Sequence, residues 1–208
     1  MPLVRKPPFG LKPAPADPAG VLKLLVSGTD EQRWSAARAA ADIPDSVAAL
    51  GNALAREPNP TVREALFTAL ARIATPRSVE TVLPFLRSDD ALVRTGASDA
   101  LVAMKDVALP YVAKLLRDPD ADIRILACGL ARNMPDGPAV DLYCDLLDSE
   151  REANVCAAAV EALAEIGAPR ALAALSRCAQ RFHATPFLVF SIKVAVDRIG
   201  SNDRTRRG

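Results

Sequence analysis

The residues able to do chemistry are few and far apart. His183 is the single histidine of the chain. A general base, a nucleophilic triad or a zinc site would each need imidazole or thiolate held close to carboxylates or hydroxyls. No His/Cys/Glu cluster with zinc or di-iron spacing surrounds His183, which reads as a surface or cap residue. Cys128, Cys144, Cys156 and Cys178 contain no CxxC pair and read as reduced thiols packed as small apolar side chains. The ten glycines are scattered, with no phosphate-cradling loop. No cofactor, metal or catalytic residue is assigned, and the chain is expected not to be an enzyme.

What remains is recognition chemistry. Trp34 and Phe67, the first with Arg38 four residues on and the second with Glu64 three before it, combine large amphipathic rings with charge. Aromatic residues beside Arg are a common composition for the centre of a protein interface. The bland alternative is that Trp34 packs inward, under the N-terminal arm or against the first helix. The charge balance narrows the partner. Lys and Arg number 26 and Asp and Glu 25, a net charge of +1, which argues against a role dominated by phosphate contacts.

Bringing Trp34, Arg38, Glu64 and Phe67 onto one surface requires a regular scaffold, and the chain repeats itself. Anchor residues Arg33, Arg63, Arg94, Arg124, Cys156 and Val189 recur every 30 to 33 residues. Small or apolar residues follow each at +3, +7 and +10: Ala36, Ala40 and Ile43 in the first unit, Leu66, Leu70 and Ile73 in the second, Ile192, Val196 and Ile199 in the last. Those offsets share one helical face. A second apolar-periodic stretch precedes four of the anchors, over Val47–Leu54, Val79–Leu86, Leu109–Leu116 and Val140–Leu147, and Pro/Asp/Asn-rich turns separate the pairs. A fixed period of this length predicts stacked helix pairs. The fold class is therefore all-α, an α-α superhelix of about six helix pairs. The expected domains are a Pro-rich arm over 1–18, a solenoid over 19–201 and a polar basic tail over 202–208.

The pattern Asp/Asn-x-x-Val/Ile-Arg followed by Ala, Leu and Ile at helical spacing resembles the HEAT repeat, in particular the short bacterial kind also found in phycobilin lyase subunits. The resemblance covers roughly residues 20–201 and is specific for fold, not for function. It implies that the second helix of each pair lines a concave face, with the +1, +4, +5 and +8 offsets toward a groove. Trp34, Arg38, Glu64 and Phe67 fall at such offsets and are the candidate partner-binding residues. It also implies that Asn59, Arg63, Asp90, Arg94, Asp120 and Arg124 form a structural ladder, the acceptor capping a helix and the Arg bridging units. The favoured function is a non-catalytic scaffold or adaptor binding a protein partner. Two readings compete with it: a bilin-lyase-like or lyase-associated subunit, in which Cys128 would be the groove thiol, and a nucleic-acid-binding protein, which the charge balance disfavours.

The ends break the pattern. Pro2, Pro7, Pro8, Pro13, Pro15 and Pro18 favour extended chain, a loose tail or an arm docked through Phe9 and Leu11. The last unit concentrates Phe182, Phe187 and Phe190, either a larger cap over the end of the stack or a surface for a homo-oligomer or partner. No stretch is long and apolar enough for a membrane helix, and a cytoplasmic location is expected.

Overall fold

The computed structural model describes residues 17–207, with side chains through Ser201. Among the described residues there are twelve α-helices and no strand: α1 Pro18–Ser27, α2 Asp30–Ala40, α3 Val47–Leu54, α4 Pro60–Ile73, α5 Pro76–Val82, α6 Ala91–Ala103, α7 Lys105–Leu115, α8 Ala121–Ala131, α9 Asp136–Ser149, α10 Ala153–Ile166, α11 Leu172–Arg181 and α12 Pro186–Arg207. They are the six helix pairs that the repeat predicts. Every anchor residue falls on the second helix of its pair. Apart from Asp17 and Pro18, the Pro-rich arm lies outside the described residues. Asp17 caps α1 through the Gly20 N–H, and Pro18 opens the helix where its missing N–H costs nothing. The polar tail expected from 202 is a continuation of α12, whose backbone stays helical to Arg207.

The chain divides into two compact units, one running to Ala108 and the other from Leu109 onward. In the first, α2, α4 and α6 pack side by side, and α1, α3 and α5 form a second layer behind them. In the other, α8, α10 and α12 stand side by side with α9 and α11 behind. The inward residues of both layers are mostly Ala and Leu. Leu50, Leu66, Leu70, Leu101, Leu147, Leu163 and Leu175 are almost wholly buried, each stabilising by about 1.5–3 kcal/mol.

Two elements differ from the pattern reading. α5 ends at Val82, and Leu83–Arg87 tightens into a 3-10 turn, because Pro84 has no N–H to continue an α-helix. α7 begins at Lys105, earlier than the apolar run from Leu109, and carries Pro110 inside it.

The turns before the second helices are built alike. Asn59 accepts from the N–H groups of Thr61 and Val62, Asp90 from Leu92 and Asp120 from Asp122, capping α4, α6 and α8. In the first pair the cap of α2 is Thr29, in a reciprocal capping box with Gln32, and Asp30 lies inside the helix. Two residues before each later cap stands a further acceptor: Glu57, Ser88, Asp118 and Glu150 take the N–H of Asn59, Asp90, Asp120 and Glu152.

Glu57 and Glu150 are also where the ladder is strongest. Arg33 forks onto Glu57 at 2.7 and 2.9 Å, and Arg124 forks onto Glu150 at 2.6 and 3.0 Å. Both carboxylates are buried. Arg63 reaches the half-exposed Asp90 at 2.9 Å, whereas Arg94 donates to the carbonyls of Ser88 and Asp89 in its own turn. The expected Asp/Asn–Arg ladder is thus in part an Arg–Glu ladder, with Asn59 bridging back to Asp30 at 2.6 Å. Past Glu150 the anchor is Cys156, and Arg181 of α11 takes over the linking role. Its guanidinium donates to the carbonyls of Leu147, Asp148 and Glu150.

The cysteines are core atoms. Cys128, Cys156 and Cys178 are buried and Cys144 is half-buried. The neighbouring Cys178 thiol, together with burial, pushes the Cys156 pKa up. The Cys128 carbonyl accepts the buried Tyr143 hydroxyl at 2.6 Å, tying α9 to α8.

Two outcomes follow. Burial alone would push the Glu57 and Glu150 carboxyls up, but the hydrogen bonds from Arg33 and Arg124 and from the turn N–H groups outweigh it and hold both below the ordinary value. A carboxyl lowered in this way stabilises the fold fully above its unfolded pKa of about 4.3, and loses that contribution as pH falls through its folded value. Glu57→Gln and Glu150→Gln should each cost about 2–3 kcal/mol at pH 7 in denaturant melts. Their gap to wild type should close as pH drops below about 4.5; a gap unchanged down to pH 3 would remove the carboxylates as its source. In the native protein, a thiol-specific chromophore should modify Cys144 first, and the other three cysteines only on unfolding. Fast reaction of all four would contradict the packing.

Candidate functional site

Within each unit a second helix packs against its neighbouring second helices, α2, α4 and α6 in the first and α8, α10 and α12 in the other, with a first helix behind. Only a narrow stripe is left for solvent. The +5 residues Arg38, Thr68, Asp99, Gly129, Glu161 and Val194 are all exposed, as the groove reading expects. The +4 residues are mostly not. Ala37, Phe67, Cys128 and Val160 are buried, because this offset faces the next second helix. The expected groove line is corrected accordingly.

Between α4 and α6 the stripe opens into a groove of about 590 Å³. Pro60, Arg63, Glu64, Phe67, Thr68 and Ala71 line it from α4, and Leu92, Val93, Thr95, Gly96, Asp99, Ala100 and Ala103 from α6. Its size follows from one small residue. A Cβ on Gly96 would lie 2.7 Å from Cδ2 and 2.8 Å from Cε2 of Phe67, so the ring rests directly on the glycine backbone. Phe85 holds Phe67 from behind, edge to face at 5.7 Å between centroids. The ring is 5% exposed and forms the floor, while Leu92 at 68% exposure forms an apolar lip.

Of the four candidate binding residues, Glu64 and Phe67 meet in this groove, and Trp34 and Arg38 do not line it. Trp34 is 6% exposed, so its packing follows the inward alternative. The exposed Arg38 guanidinium lies over its ring, 4.8 Å from the centroid, a cation–π contact that covers the indole. The two residues shape the surface of α2 beside the groove. Leu92, Gly96 and Asp99 were not among the candidates. A glycine one repeat after a groove-side Phe was the available signal, and it needed the register between α4 and α6 to be read.

The site's charge is acidic at the rim. Glu64 and Asp99 are exposed and pair with no cation among the described residues. Arg63 is held by Asp90. The repeat arginines therefore do not form a row of open cations: Arg33, Arg63 and Arg124 are ion-paired, and Arg94 is bound to carbonyls. Cys128 is buried, and desolvation pushes its thiol up to about 12, far from a reactive thiolate. His183 is exposed, with Nδ1 3.2 Å from the Gln180 carbonyl oxygen. Among the described residues no three His, Cys, Asp or Glu side chains are grouped to hold a metal, and no helix is long and apolar enough to cross a membrane.

The last pair exposes an apolar stripe. Phe187, Phe190 and Val194 of α12 are 50%, 68% and 49% exposed, whereas Leu188, Ile192, Ala195 and Ile199 face inward. Phe182 is half-buried, with the Arg181 guanidinium 5.2 Å above its ring.

Solved structures with the same kind of architecture include an archaeal HEAT-like repeats protein from Thermococcus onnurineus, at 17% identity over 88% of this chain and 87% of that one, with a TM-score of 0.49. Human deoxyhypusine hydroxylase is similar at 16% identity over 90% and 86%, TM-score 0.45. The complex of CpcE and CpcF of phycocyanin lyase from Nostoc is similar at 16% identity over 92% and 98%, TM-score 0.40. No curated protein matches. The model of HEAT repeats matches three overlapping stretches, residues 18–102, 47–128 and 109–184. These stretches take in five of the six anchors and the Arg–Glu links between them, so the chain belongs to the HEAT-repeat family.

Proposed function

We propose that this chain is a non-catalytic scaffold that recognises a partner protein along its second helices, with the α4–α6 groove as the principal contact. The observation that carries the reading is the Phe67–Gly96 floor. An aromatic ring locked between Phe85 and a glycine backbone is a preformed apolar surface, and a partner side chain laid on it orders little that was mobile before. Glu64 contributes charge at the rim, and Arg38, stacked on Trp34, extends the contact surface along α2. The lyase-like reading has less support, since Cys128 is buried and its thiol raised. The nucleic-acid reading is opposed by the unpaired carboxylates at the groove rim.

The experiment is capture from the source organism's lysate with purified wild type beside a Leu92→Asp/Thr68→Arg variant. Both positions are exposed, so the variant should keep the wild-type circular dichroism, whereas Phe67→Ala would carve a cavity costing about 3–5 kcal/mol. A stoichiometric protein held by wild type and lost by the variant is the expected result. A partner held equally by both would move the contact away from the groove. A coloured small molecule travelling with the bait would favour the lyase-like reading.

A second reading rests on the Phe187–Phe190–Val194 stripe, whose spacing of three and four residues puts all three on one face of α12. We propose it as a self-association surface. Sedimentation should give a concentration-dependent dimer that Phe190→Glu abolishes; a strict monomer at high concentration removes this reading.

A further inference from the structure

We infer that the α4–α6 groove is built for an amphipathic segment of a partner protein that sets a large apolar side chain between two Lys or Arg residues. The inference rests on the groove being the recognition site and adds the chemistry of what fills it.

The floor and lip select the apolar element. Phe67 and Gly96 offer a flat aromatic and backbone surface, and Leu92 projects beside it with most of its side chain in water. Such a Leu is covered when a partner side chain docks, and the volume of about 590 Å³ lies in the range of ordinary binding clefts.

The rim selects the charge. Glu64 on α4 and Asp99 on α6 both line the groove, and neither is paired with a cation among the described residues. Several carboxylates elsewhere on the surface are paired. Asp42 is paired with Arg72, Asp90 with Arg63, Asp141 with Arg170, Asp148 with Arg177, and Glu161 and Glu165 with Arg132. The one Arg that reaches the groove, Arg63, is already taken by Asp90. Two open carboxylates flanking an apolar floor repel an acidic segment and draw a basic one.

The spacing fits a helix. Glu64 follows its anchor by one residue and Asp99 follows its anchor by five. The two carboxylates thus stand on neighbouring helices and line the groove from either side. A docked helix that sets its apolar face on the floor and carries a basic residue on each flank of that face would meet both carboxylates. The shared apolar contact supplies the affinity and the charges fix orientation and selectivity.

The test uses two fluorescein-labelled synthetic peptides of equal length. Both carry Leu at i, i+3, i+4 and i+7, and one has Lys and Arg at the flanking positions where the other has Glu. Fluorescence anisotropy is read with the full-length protein, with Glu64→Gln/Asp99→Asn and with Leu92→Asn, all at exposed positions. The expected result is binding of the basic peptide at least tenfold tighter than the acidic one. The Gln/Asn pair should weaken the basic peptide about tenfold and tighten the acidic one, so that the gap between them closes. Equal binding of the two peptides, each weakened by Leu92→Asn, would overturn the charge inference while leaving the groove as the site. Basic-peptide binding untouched by both variants would overturn the groove as well, and so would the absence of binding by either peptide.

Discussion

A buried carboxylate in the turn ahead of a second helix is the contact on which the stack depends. Glu57 and Glu150 each do two things. They accept the N–H groups of their own turn, which sets where the next helix begins, and they receive the forked guanidinium of the preceding second helix. A charge in that position, removed from water and unpaired, would be costly. The favourable arrangement is therefore confined to one axial offset between consecutive helices. Apolar packing alone would not define it so sharply, because Ala-rich helix surfaces slide past one another with little change in contact.

Once the offset is fixed, the small residues can do their part. Ala36, Ala40, Ala65, Ala97, Ala127 and Ala159 are buried where helices meet, and an Ala interface lets helix axes come close. Close approach in turn buries the +4 offset against the next helix. It leaves the +5 offset as the exposed line of each repeat, and it brings Gly96 under Phe67. The groove is a consequence of register: one turn earlier or later along α6, at Leu92 or Ala100, a Cβ would stand where the ring lies.

This is also why the fold was more legible than the site. Helix pairs, their order and their turns follow from a one-dimensional pattern, since period, caps and prolines are local. The Asn59, Asp90 and Asp120 caps could be named from sequence for that reason. Glu57 and Glu150 were harder to see, because a Glu beside a turn reads as solvent-facing until the preceding repeat's Arg is placed against it. Trp34 and Phe67 show the same limit. A helical wheel divides a helix into one core face and one open face, which suits a helix with a single neighbour. A second helix packed between neighbours has almost no open face: Phe67 lies against Gly96 of the adjacent repeat, and Trp34 is buried with Arg38 over its ring. Pro84 and Lys105 mark smaller departures, where a missing N–H shortened α5 and the chain re-entered a helix sooner than its apolar residues required.

The distribution of charge carries the argument furthest. Arg residues of this chain pair with carboxylates in several places: in the buried turns, along α9 and α11 through Asp148 and Arg177, and beside α10 through Arg132. Surface pairs of that kind contribute little to stability, about 0–1 kcal/mol each. Their effect on binding is larger, because a paired carboxylate offers a partner little net attraction. Glu64 and Asp99 pair with no cation among the described residues, and they stand on either side of the apolar α4–α6 groove. Stability does not call for that arrangement, since a Lys at position 68 or 95 would have satisfied either acid. An open acid beside an apolar floor is, however, what discriminates between partners of equal hydrophobicity, and selectivity between such partners is a difference in free energy that burial alone cannot supply.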